Sequence, residues 1–149
     1  AGGDGDDNIS VIGTGAVKTL HGDGGNDTVA GGNGNDLIFG DDGNDFLRGR
    51  AGDDRLAGGT GDDTLQGDYN ADVFVFEDGF GNDTINDFDA HNDLEKIDLA
   101  GVTEITDFAD LQANHLSQSG ANVLITDGAD TITLLNVNLA DLGAEDFVF

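Results

Sequence analysis

The sequence predicts an all-β chain: a right-handed parallel β-roll, closed by a small mixed cap with a β-hairpin and a short helix. Three observations predict it. A nine-residue unit recurs through the first half, with one large apolar residue in register with an aspartate each time. Of the 25 glycines, 21 precede residue 87. Each unit thus reads as a tight acidic turn followed by a very short strand that carries one inward apolar side chain.

The unit is G-G-x-G-x-D-x-U-x, where U is large and apolar. It is matched by Gly2–Ser10, Gly22–Ala30, Gly31–Phe39, Gly40–Arg48, Gly49–Ala57, Gly58–Gln66 and Gly67–Val75, and the copies from Gly22 onward abut without insertion. The first position is Gly2, Gly22, Gly31, Gly40, Gly49, Gly58 or Gly67, and the fourth is Gly in all but the last copy, which has Asn70. Gly and Asn tolerate positive φ, so both positions are expected to turn the chain sharply and aim carbonyls inward. Position six is Asp7, Asp27, Asp36, Asp45, Asp54, Asp63 or Asp72; position eight is Ile9, Val29, Ile38, Leu47, Leu56, Leu65 or Phe74. Two flanking copies are degenerate. Gly13–His21 has Lys18 where Asp belongs, and its ammonium is expected to stand in for an ion; Asp78–Asn86 keeps Gly81, Asp83 and Ile85.

Two units make one coil of about eighteen residues, and coils stack at roughly 4.8 Å. Loop n then lies over loop n+2, and carboxylates and carbonyls of both surround one gap. Asp27, Asp45 and Asp63 line one side, Asp36, Asp54 and Asp72 the other, with Asp7 and Asp83 as end positions. Gly22, Gly31, Gly40, Gly49, Gly58 and Gly67 complete the candidate metal loops. An all-oxygen, carboxylate-rich donor set selects a hard cation, and Ca2+ accepts six to eight such ligands. Pairing loops two apart gives about five or six ions. With no Cys and with His21, His91 and His115 scattered along the chain, a zinc or copper site finds no support in the sequence.

This nonapeptide resembles the calcium-binding repeat of the RTX (repeats-in-toxin) family. The segment GFGNDTINDFDAHNDLEKIDLAGV, from Gly79 onward, is similar to the C-terminal regions of secreted Gram-negative RTX proteins, including serralysin-type proteases and alginate epimerases. Asp146-Phe147-Val148-Phe149 resembles the extreme C-terminal type I secretion signal of serralysin-type proteins. The resemblance implies a C-terminal module of a larger secreted, extracellular protein, with calcium and the type I secretion machinery as partners. The alginate epimerases imply an alternative, a calcium-dependent polysaccharide-binding module or adhesin segment using an Arg48/Arg50/Arg55 patch or calcium bridges.

The formal net charge of −26 opposes compaction, and cations bound only by folded loops add directly to folding free energy. Folding is therefore expected to require millimolar calcium. The same charge excludes nucleic acid, whose affinity comes from Lys and Arg on phosphates. No run of residues is long and apolar enough to span a membrane. Without an HExxH motif, nucleophile elbow or P-loop, the chain is not expected to be an enzyme.

Residues 1–86 are assigned to the roll and 87–149 to the cap. In the cap, Lys96–Leu99 and Asp146–Phe149 read as strands. Asp107–Asn114 reads as a short helix capped by Thr106 or Asp107, and Leu139–Leu142 as one helical turn. Asn122–Thr126 and Thr131–Leu135 read as a hairpin across Asp127-Gly128-Ala129-Asp130.

Overall fold

A computed structural model describes residues 1–13 and 15–149. Each nonapeptide forms a turn and a strand: β1 (Gly3–Asp4), β2 (Asn8–Ser10), β3 (Thr19–Gly24), β4 (Thr28–Ala30), β5 (Leu37–Asp42), β6 (Phe46–Ala51), β7 (Arg55–Thr60), β8 (Thr64–Tyr69), β9 (Val73–Glu77) and β10 (Asn82–Ile85). Odd-numbered strands build one parallel sheet and even-numbered strands a second, so the chain winds as a parallel β-solenoid. Register follows the repeat: Leu37, Ile38 and Phe39 pair with Arg55, Leu56 and Ala57, eighteen residues on.

The core is the row of eighth positions. Val29, Ile38, Leu47, Leu56, Leu65 and Phe74 are fully buried between the sheets, where successive side chains alternate in and out. Ile9 is only partly buried because no coil covers it.

Past the repeats, the cap extends both sheets. β11 (Lys96–Gly101) pairs with β9 and places Ile97 beside Phe74; β15 (Phe147–Val148) pairs with β11 and places Phe147 beside Ile97. On the other sheet, β13 (Asn122–Asp127) and β14 (Asp130–Leu134) form the expected hairpin, and β14 continues the stack by setting Leu134 beside Ile85. The expected helix is present but irregular. Asp107 caps it through a 2.9 Å bond from the Asp110 N–H, α1 spans Phe108–Asp110, and a π-helical turn follows over Leu111–His115. Leu139–Asp141 is a 3-10 turn capped by Asn138. The sequence reading omits β12 (Leu116–Ser119), an edge strand antiparallel to β13. Its sequence, LSQS, has one apolar residue and lies mostly in solvent, so no alternating pattern marks it.

Candidate metal centre

The sixth-position aspartates form two ladders inside the turns. Along one edge, Asp7 N–H donates to Asp27 Oδ1, Asp27 to Asp45, Asp45 to Asp63 and Asp63 to Asp83, each at 2.7 Å. Along the other, Lys18 N–H donates to Asp36 Oδ1 at 2.9 Å, Asp36 to Asp54 at 2.7 Å and Asp54 to Asp72 at 2.8 Å. Except for Asp7, these carboxylates are at most 3% exposed. The strands fix this arrangement, because each ladder aspartate from Asp7 to Asp72 directly precedes a strand, Asp83 lies within β10, and the N–H groups point along the stacking direction.

One oxygen of each carboxylate except that of Asp7 is thereby satisfied. The second oxygens of Asp27, Asp45, Asp54, Asp63 and Asp83 are buried with no hydrogen-bond partner. Such groups are expensive to bury unpaired. Burial, aided by the neighbouring carboxylates, raises Asp45 above the usual range, Asp54 and Asp63 to about 6, Asp72 to about 7 and Asp83 to about 8. A multivalent cation in the stack would relieve both problems.

The first-position glycines show where it would lie. A Cβ built on Gly31 would stand 2.7 Å from the Gly49 carbonyl oxygen and 2.8 Å from Asp36 Oδ2. On Gly22, Gly40 and Gly49 it would collide with Oδ2 of Asp27, Asp45 and Asp54 and with the carbonyls of Gly40, Gly58 and Gly67. On Gly58 and Gly67 it would strike Asp63 and Asp72. Carboxylate and carbonyl oxygens of consecutive coils thus converge on one cradle, the donor set calcium requires. These glycines are needed for space. The expectation of positive φ holds at the fourth position, as at Gly43 (131°) and Asn70 (89°), but the other left-handed position is the second, occupied by Asp23, Asp41, Arg50 and Asp68 at 73° to 83°.

In the degenerate copy, Lys18 Nζ donates to Ala16 O at 2.9 Å and lies 3.9 Å from Asp36 Oδ1. Its ammonium occupies the turn as the sequence suggests. Three features escaped the sequence reading. Position five forms an outer ladder, in which Asn26 Oδ1 accepts from Asn44 N–H (2.8 Å) and Asn44 Oδ1 from Asp62 N–H (2.9 Å). The signal was present, since position five is Asn or Asp in every close copy except at Ala71. Glu95 caps the second ladder: Lys96 pairs with Val73, so Glu95 falls over Asp72, 5% exposed and raised to about 8 by burial and then by Asp72 and Asp87. Asp87 accepts from Gly67 N–H (3.0 Å) and Asp68 N–H (2.8 Å). Neither acid belongs to a nonapeptide position that would have marked it.

The three arginines do not form one patch. Arg48 and Arg50 stand on β6, Arg55 on β7 in the opposite sheet. Arg48 pairs with Asp68, Arg55 with Asp98 at 2.7 Å, and Arg50 donates to the carbonyls of Val11 and Gly31. Among the described residues, no helix is long and apolar enough to cross a membrane.

Residues 19–47 and 48–85 match the family model of the RTX calcium-binding nonapeptide repeat. No curated protein sequence matches the chain. Among solved structures, it is similar to the AlgE6R3 subunit of the Azotobacter vinelandii mannuronan C5-epimerase: 27% identity, TM-score 0.63, over 100% of this chain and 81% of that one. The AlgE6R2 subunit of the same enzyme gives 26% identity and a TM-score of 0.55, over 93% of this chain and 91% of that one. The extracellular lipase LipA of Serratia marcescens shares the fold at 18% identity and a TM-score of 0.51; 98% of this chain corresponds to 38% of the lipase. With repeat, solenoid and carboxylate ladders in agreement, the chain carries a calcium-binding β-roll whose nonapeptides belong to the RTX family.

Proposed function

We propose that this module is a calcium-triggered folding unit that folds on export into millimolar calcium, serving type I secretion and stabilising an effector domain upstream. In this reading the protein is extracellular, residues 1–86 are the roll and residues 87–149 the cap. The cap's terminal Asp146-Phe147-Val148-Phe149 is the part addressed to the secretion machinery. The observation that carries the reading is the set of buried, unpartnered Oδ2 atoms, of which those of Asp27, Asp45 and Asp54 converge with glycine carbonyls of the next coil. Four gaps separate the five carboxylates from Asp7 to Asp83, and two separate Asp36, Asp54 and Asp72. That accounts for about five or six ions, the outermost resting on half-exposed Asp7.

In the calcium-free chain, stacked carboxylates repel one another and lose hydration, so the roll does not hold. Dissociation constants of extracellular calcium modules, roughly 10⁻⁴–10⁻³ M, place the transition between cytosolic and extracellular calcium. Far-UV circular dichroism during a calcium titration, with magnesium as control, tests this. A cooperative coil-to-β change specific to calcium is expected. Full β-structure in chelator would overturn it.

A second reading, calcium-dependent polysaccharide binding, rests on the similarity of the whole chain to the two epimerase subunits. Since Arg48 and Arg50 stand on a different sheet from Arg55, any polyuronate contact must run through calcium bridges or one face alone. Retardation of the chain in an alginate gel at millimolar calcium, lost in chelator, supports it; unchanged mobility removes it.

A further inference from the structure

We propose that His21, Asp23 and Asp41 form a surface site for one zinc-class divalent cation, separate from the calcium ladders. His21 and Asp23 are two residues apart on β3 and so project from the same outer face. Parallel pairing with β5 sets His21 beside Phe39 and Asp23 beside Asp41. His21 lies flat on Phe39, ring centroids 4.7 Å apart and planes 9° apart, which fixes the imidazole edge. Its Nδ1 lies 2.9 Å from Asp41 Oδ2. The carboxylates are steadied from behind: Asp23 Oδ2 accepts from Gly3 N–H at 3.1 Å, and Asp41 Oδ2 from Asp23 N–H at 3.3 Å. One imidazole nitrogen and one oxygen from each carboxylate lie within 4.8 Å of one another.

A second observation concerns access. The row across the sheet reads Gly3, Asp23, Asp41, Gly59, so neither flanking strand puts a side chain over the pair. The cluster lines an open recess completed by Asp4, Asp42 and Thr60. The two carboxylates put negative charge side by side there, and a divalent cation offsets it. The donor set also discriminates. Ladder sites offer oxygen only, whereas an imidazole nitrogen beside two carboxylates favours zinc over calcium. Three protein ligands leave room for solvent on the ion.

Isothermal titration of zinc into the calcium-saturated full chain tests the proposal. One equivalent is expected, with affinity lowered by about tenfold or more in H21Q and D41N, since loss of metal-supporting groups has effects of that order. H91Q, altered at an exposed histidine outside the cluster, is expected to bind as the parent does. Calcium-induced circular dichroism checks that each variant folds. In the calcium-saturated parent, zinc is expected to shift the ring resonances of His21 in NMR spectra, and further calcium to leave them in place. Equal zinc binding by H21Q and the parent, or zinc-induced shifts at His91 or His115 in place of His21, would overturn the proposal. So would absence of binding at about 1 mM zinc, well above the range expected of a built imidazole–carboxylate site.

Discussion

Gly40→Ala is expected to shift the calcium midpoint for folding by at least tenfold or to abolish the transition. The added methyl would overlap Asp45 Oδ2 and the Gly58 carbonyl, two oxygens that face the same gap between coils. Neither can retreat. Asp45 is tied through Oδ1 to Asp27 N–H, and Gly58 lies within β7. Overpacking of this kind costs about 3 kcal/mol before any loss of metal binding is counted. Gly120→Ala is the informative comparison. Gly120 has φ 62° with open space where its Cβ would lie, in a turn of the cap. Only the left-handed backbone penalty of about 1–2 kcal/mol applies there, with calcium affinity of the roll preserved. Calcium titrations of both variants by circular dichroism check the contrast. Equal midpoints for Gly40→Ala and the parent would contradict the cradle.

Acidification is expected to act in opposite directions on the calcium-free and calcium-loaded chains. In the metal-free roll, burial raises Asp72 to about 7 and Asp83 and Glu95 to about 8, against an ordinary carboxylate value near 4. A carboxylate raised on folding is protonated in the folded state while the unfolded chain is ionised. The folded state then binds more protons, so its stability falls as pH rises from about 4 through about 8. In chelator, lowering the pH from 8 to 5 is expected to increase β-structure, protons relieving the same repulsion that calcium relieves. In calcium, the same protons compete for the ligand oxygens, and the calcium midpoint is expected to rise as pH falls. Circular dichroism at fixed calcium and in chelator, from pH 5 to 8.5, separates the two arms. A calcium midpoint independent of pH would mean that the ladder carboxylates are ionised throughout.

The nonapeptide made the roll legible. An aspartate two residues before a buried apolar side chain, repeated every nine residues, left one way to stack the coils, and Asp27, Asp45 and Asp63 fall on one edge as that stacking requires. The hairpin of β13 and β14 was legible for the same reason: alternating apolar residues around an Asp-Gly turn are local signals. Edge strand β12 was not, because its pairing depends on a neighbour and its own residues carry no pattern.

By itself, the sequence determined the period, the inward row from Ile9 to Phe74, the all-oxygen donors and hence the kind of ion. These are properties of residues nine or eighteen apart, which chain geometry brings together whatever else happens. Only the tertiary structure decided which glycines serve space and which serve φ. It also decided that Glu95 and Asp87 close the second ladder, that Arg55 is parted from Arg48 and Arg50, and that His21 meets Asp23 and Asp41. Each of these depends on which strand lies next in the sheet and which face a residue takes, and that is settled when coils and cap pack together.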